Sequence, residues 1–254
     1  MIKNIATLSL TSLLLIGNFN GCSAKNCDPS SAGFFGGIGC ELSGAYDDRL
    51  SIFGVQVQIA KDKYLKTLLE YQEMVAQITQ DNTQVTELQN NLEQMNNEVI
   101  EIEQIIVDIS EDEKVNSAKQ QKVIKVKKAK LVKKLKTFSK TVERVGKSSV
   151  VSSKQKKIVM KKLKSGTLDK KTSIKLKKIT ENNGAVLAKA ESEVLKNTQK
   201  TMYMVSSLSK VAQEGGDSGK LKHESVGVIL RSKNMYKTKK IHTLETRNKH
   251  KSLL

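Results

Sequence analysis

From Tyr71 to Ile109 the chain sets an apolar side chain at every third or fourth position. The members are Tyr71, Met74, Ile78, Val85, Leu88, Leu92, Met95, Val99, Ile102, Ile106 and Ile109, with Asp81 the one polar residue in the series. No glycine or proline interrupts the run. A stripe of this period follows one side of an α-helix and needs other helices to cover it, from this chain or from another. At ~1.5 Å per residue the stretch predicts a rod roughly 58 Å long. The fold class that follows is all-α, with long amphipathic helices in a coiled-coil or helical-hairpin bundle. Asp81 either sets the register of the seam or marks a place where it opens, and opening costs less than burying a carboxylate.

Composition supports long helices over a large globular core. Aromatic residues make up 4% of the chain, tryptophan is absent, and Pro29 is the only proline. The helix is expected to begin between Asp48 and Val57. Its face is broad from Tyr64 to Val75 and narrows to the strict seam from Ile78 to Met95, where the flanking positions are amides such as Gln84, Gln89 and Asn91. Such flanks carry no charge code for a partner. Ile100, Ile105 and Val107 then widen the stripe, which favours a bundle over a two-stranded coil.

The seam stops at Ile109, because its next positions would be Glu113, Asn116 and Gln120. Ser110-Glu111-Asp112-Glu113 has the spacing of a capping box, so a kink or hairpin is expected at residues 110–117. Charge changes sign at the same point. Residues 56–113 hold three lysines against thirteen carboxylates, a net of −10. Residues 114–178 hold twenty-four Lys and Arg against Glu143 and Asp169, a net of +22. A second amphipathic helix, residues 118–145, buries Ile124, Leu131, Leu135, Phe138, Val142 and Val145 and is lysine-rich elsewhere. Folded back, it lays a basic face beside the acidic rod. The same lysines, with Lys125, Lys127, Lys128, Lys130, Lys133 and Lys134 at their centre, are the candidate site for a polyanion.

Gly146-Lys147-Ser148 is not the end of a phosphate-binding loop, since Thr141 stands where that loop needs glycine and no strand precedes it. A helical hairpin is expected next, residues 154–164 and 169–180 around Ser165-Gly166-Thr167, ending at Asn182-Asn183-Gly184. A last amphipathic helix over 185–212 carries Leu187, Val194, Thr198, Met202, Val205, Leu208 and Ala212 on one side. Beyond the glycine-rich linker at 215–219 the chain reads as a mobile basic tail with one strand-like run, Val226 to Leu230.

The N-terminus reads as an address. Lys3 precedes the uncharged apolar run Ile5 to Ile16, and the polar Gly17-Asn18 follows. These are the regions of a secretory signal peptide, with the apolar run too short to span a bilayer. Phe19-Asn20-Gly21-Cys22 resembles the lipobox of bacterial lipoproteins, which implies lipidation of Cys22 and a membrane-anchored mature chain. Phe19 and Asn20 depart from the usual residues of that motif. In that family Ser23 after the lipidated cysteine implies the outer membrane, at its periplasmic face or surface. Cleavage after Ala24 in Cys22-Ser23-Ala24 is the alternative and gives a soluble periplasmic or secreted chain. With Cys22 lipidated, Cys27 and Cys40 are left as a disulfide or as two free thiols. The loop between them, with Phe34, Phe35 and Ile38 among glycines, is either an apolar wedge or a Gly-rich tether packed on the first helix. The run from Cys27-Asp28-Pro29 to Gly44-Ala45-Tyr46-Asp47, followed by a long polar helix, resembles lipoproteins encoded among conjugation and type IV secretion components.

The expected division is therefore a signal peptide (1–21), a tether (22–55), an acidic coiled-coil helix (56–113), a Lys-rich helical region (114–214) and a linker with a basic tail (215–254). His223, His242 and His250 have no cysteine or carboxylate at ligand spacing, so neither a metal nor another cofactor is expected. No nucleophile and base can be paired, and the carboxylates of the rod line a solvated face, so an enzyme is not expected. Three functions remain. The first is a lipid-anchored structural component of the envelope that meets other helical proteins or its own copies. The second is a polyanion-binding module for lipopolysaccharide, acidic lipid or DNA. The third is a soluble secreted adhesin or pilus-tip-like subunit.

Overall fold

The computed structural model describes residues 49–251 apart from residue 116, and from Leu50 onward these belong to one compact unit. The expected signal peptide, Cys22, Cys27, Cys40 and the apolar stretch between the last two lie outside the described residues. The described residues are all-α but for one small hairpin, β1 (Arg49–Ile52) and β2 (Val55–Gln58). Residues expected to open the helix are thus strands. The alternation Val55-Gln56-Val57-Gln58 has the period of two that a strand needs. Its two-residue turn requires positive φ at both positions, which Phe53 adopts at 49° and Gly54 at 80°. For Gly54 that conformation costs nothing, whereas Phe53 holds it against its own Cβ.

Helix α1 (Lys63–Thr79) starts where Asp62 accepts hydrogen bonds from the Tyr64 and Leu65 amides, at 3.0 and 3.1 Å. It ends at Gln80, which turns left-handed at φ 58°. Helix α2 (Thr83–Glu113) follows at once. The single rod expected from Tyr71 to Ile109 is therefore two helices. Asp81 explains the break: it is exposed and accepts from the Thr83 amide at 3.0 Å and from Gln155 Nε2 at 3.1 Å. Those bonds favour a chain reversal over a buried carboxylate. The seam itself survives the break. All eleven of its apolar residues are buried, none more than 9% exposed.

Helix α3 (Ala118–Ser148) returns along α2, as the change of charge predicts. The reversal falls at Lys114–Ser117, and the cap is Ser117, which accepts from the Gln120 amide at 3.1 Å. The capping box expected at Ser110–Glu113 does not form, because those residues stay in α2. Three carboxylates at a helix C-terminus oppose its dipole, so they need cations or amide donors. Two of them find these: Asp112 meets Lys127 at 2.6 Å, and Glu113 meets Lys128 at 3.5 Å and the Ser218 amide at 2.8 Å, while Glu111 is exposed to solvent.

Helix α4 (Ser153–Lys164) and helix α5 (Lys170–Gln213) are capped by Ser152 and Asp169. The two do not form the expected hairpin on each other; each packs on α1, with Val159 of α4 and Leu176 and Ile179 of α5 buried. The break expected at Asn182-Asn183-Gly184 shrinks to one residue with φ 85°, Gly184, inside an otherwise continuous α5. Close approach of α3 and α5 relies on Gly146, where an added Cβ would lie 2.9 Å from Thr198 Oγ1.

The largest departure is at the C-terminus. The expected mobile tail is helix α6 (Ser218–Lys251), and the strand-like run at 226–230 is part of it. Its buried stripe reads Leu221, Ser225, Val228, Ser232, Met235, Thr238 and His242. That is a seam of threes and fours in which four of the seven residues are polar, so an apolar count passes over it. The hydroxyls of Ser225 and Ser232 donate to the carbonyls of Lys222 and Val228, at 2.9 and 2.8 Å, so they can be buried without loss.

Helices α2, α3, α5 and α6 close a four-membered ring, α2 beside α3, α3 beside α5, α5 beside α6 and α6 beside α2. Neighbours run antiparallel. Lys222 reaches Ser110 while Lys239 reaches Glu93 across α6 and α2. Lys128 reaches Gly215 while Gly146 faces Thr198 across α3 and α5. Helix α1 packs across α5 and α6, held by Lys61 and Lys66 on Glu245 at 3.2 and 2.9 Å, with Glu73 lying 2.9 Å from the buried His242.

Candidate anion-binding surface

The lysines singled out on α3 divide into two sets. Leu131, Leu135, Phe138, Val142 and Val145 turn one face of α3 inward, which fixes what the intervening lysines can reach. Lys127, Lys128 and Lys134 flank that face and meet the acidic helix α2, with Lys134 on Glu101 at 2.5 Å beside the two pairs already given. Hydrogen bonding from Lys127 holds the Asp112 carboxyl below its ordinary range, against a smaller opposing effect of burial, and Gln120 adds to it. These three cations serve the fold. Lys125, Lys130 and Lys133 are exposed and have no ion-pair partner among the described residues.

Lys128 is the residue that interrupts the apolar stripe of α3, and the structure shows why it can. Its ammonium reaches out to Glu113 and to the Gly215 carbonyl, 3.3 Å away, tying α3 to the α5–α6 turn. Beside it lies an open groove of about 830 Å³. Ile124, Val132 and Ala212 contribute apolar floor, Lys125 and Lys133 stand around it, and Glu113 lines it beside the Lys128 it neutralises. An apolar floor with ammonium groups at the rim is suited to an amphiphilic anion.

A second set of cations, less neutralised, lies along α4 and the first turns of α5. Residues 154–178 hold eleven lysines, no arginine, and Asp169 as the one carboxylate. Asp169 is occupied as the cap of α5, accepting from the Thr172 amide at 2.9 Å, and its pKa is lowered by the Thr172 side chain first and by this amide second. Lys156 pairs with Glu191 at 2.7 Å, and Lys162 donates to the Ile78 carbonyl at 2.8 Å. Lys157, Lys161, Lys164, Lys170, Lys171 and Lys175 are exposed without an ion-pair partner among the described residues. Ile158 and Ile174 are exposed between them, at 37% and 58%. The even spread of positive charge over residues 114–178 in the sequence hides this contrast, because only folding sets Glu101, Asp112 and Glu113 of α2 on lysines of α3, while of the α2 carboxylates Glu87 borders the start of α4.

The histidines are scattered. His223 is exposed on α6, and His242 is buried against Glu73. Among the described residues no group of three His, Cys, Asp or Glu side chains is placed to hold a metal ion. No helix of the described residues is long and apolar enough to cross a membrane. No protein-family model, curated protein or solved structure matches the chain.

Proposed function

We propose that the chain is a non-enzymatic, lipid-anchored protein of the bacterial cell envelope, exported by its leader and held at the outer membrane through Cys22. Its helical bundle is a structural and interaction component, of the kind a secretion or conjugation apparatus uses to space or join other helical envelope proteins. The observation that carries this reading is the order Lys3, Ile5 to Ile16, Gly21-Cys22 ahead of a bundle whose apolar faces are spent on one another. Such a bundle offers bulk, length and charged surface.

The test is the intact mass of the mature protein from a bacterial host, with fatty-acid labelling in parallel. A diacylglycerol adduct on Cys22, and partition into the detergent phase that Cys22→Ala abolishes, is the expected result. A water-soluble chain beginning after Ala24 would replace the anchor with the secreted adhesin or pilus-tip reading. A second reading, binding of polyanions such as lipopolysaccharide, acidic lipid or DNA, draws support from the unpaired lysines of α3, α4 and α5. Under it, retention on an anionic matrix falls steeply with salt; retention indifferent to ionic strength would remove it.

A further inference from the structure

We infer that the corner formed by α4 and the N-terminal turns of α5 is a contact surface for an anionic phospholipid bilayer. The inference rests on the polyanion reading and deepens it by naming the surface and the partner.

Charge identifies the place. Seven lysines of α3 are exposed without an ion-pair partner among the described residues, beside three neutralised by α2. The corner keeps ten of its eleven lysines free of such pairs, Lys156 alone meeting Glu191. Asp169 is committed as a cap, and Asp81 and Glu87 border only the end that carries Lys154 and Ile158. Each lysine brought up to a bilayer rich in acidic headgroups contributes favourably, so a cluster acts as a sum. Residue type argues for a headgroup field over a nucleic acid. The corner has no arginine for bidentate phosphate or base contacts and no aromatic ring for stacking. It does expose Ile158 and Ile174 amid the lysines. Apolar side chains flanked by ammonium groups suit the boundary of headgroup and acyl chain, where the first insert and the second stay at the phosphates. A DNA backbone gives such side chains no comparable gain.

Packing lets the corner serve without unfolding. Val159, Leu163, Leu168, Leu176 and Ile179 hold its two helices against the core, so the exposed set is carried on an anchored base. Lys162 adds a tie to the end of α1.

The experiment is co-sedimentation of the full chain with vesicles of phosphatidylcholine alone, or with about a third phosphatidylglycerol, across a salt series. Three variants accompany it. The first changes Lys157, Lys161, Lys164, Lys171 and Lys175 to Gln; the second changes Lys189, Lys200, Lys210, Lys220 and Lys240 to Gln; the third is Ile158→Ser with Ile174→Ser. All these residues are exposed, and an unchanged circular dichroism spectrum checks that each variant folds. Every protein in the comparison also carries Cys22→Ala, so no lipid on Cys22 contributes to sedimentation.

The expected result is preference for the phosphatidylglycerol vesicles, lost about tenfold or more in the corner Lys variant and less than about twofold in the second. The isoleucine variant should bind several-fold more weakly and with a steeper salt dependence. Equal losses in both lysine variants would overturn the assignment to the corner while leaving polyanion binding in place. Retention of duplex DNA through these same lysines without preference for the acidic vesicles would overturn the membrane in favour of nucleic acid. Indifference to both probes would remove the polyanion reading, and the fate of Cys22 would be untouched by that outcome.

Discussion

Tyr71 shows how one side chain registers the bundle. It opens the seam, is 1% exposed, and its phenol is pushed up to about 12, by burial first and by the charge of Glu191 second. The ordinary value is 10.0, so the neutral ring contributes stability in full below about pH 10 and loses it as the pH climbs through 12. An alkaline titration followed by phenolate absorbance and helical dichroism should show one tyrosine ionising late, with helix loss beside it. Tyr71→Phe should remove the late step and flatten the stability profile in that window. Asp81 is the complementary residue. Its pKa is lowered, mainly by the hydrogen bonds from Thr83, and the same bonds stop the rod. Sequence alone marks Asp81 as costly in the seam, and the opening there is the cheaper of the two outcomes it allows. It cannot reveal that Gln80 will turn left-handed, because that depends on α1 finding α5 and α6 to pack on.

At the scale of elements, legibility follows how apolar a stripe is. The seam of α1 and α2 and the inner face of α3 from Leu131 onward are read correctly because nearly every position is Leu, Ile, Val, Met or Phe, whereas Ile124, expected in the same stripe, is only half-buried. The return of α3 is read from charge, since −10 and +22 in consecutive segments have an obvious way to meet. Helix α6 is missed because Ser225, Ser232, Thr238 and His242 hold positions where an apolar residue was sought. The lysine corner is missed for another reason: net charge counts residues, and neutralisation is decided by which helix lies alongside. A truncation after Asp217 separates a tail from a helix of the core. Removing a tail leaves stability unchanged, whereas removing α6 bares the inner faces of α2 and α5 and the end of α1. Urea unfolding should show a loss of several kcal/mol or no cooperative transition, since burying each Leu, Val, Ile or Met contributes ~1.5–3 kcal/mol.

In the molecule as a whole, two local hairpins, α2 with α3 and α5 with α6, are joined through α4, and α1 is laid over the second. The ends of the two hairpins meet where the Glu113 carboxylate accepts the Ser218 amide, so the last residue of α2 caps the start of α6. Yet the half-hydroxyl stripe of α6 expels less water from its partners than the oily stripe of α2 does, and this sets an order of yielding. Amide-exchange protection should be weakest among the four ring helices along α6 and strongest along residues 88–109 of α2. Under mild denaturant the final helix would then peel away first while the earlier hairpin persists, and the part of the chain made last would also be the part most readily released.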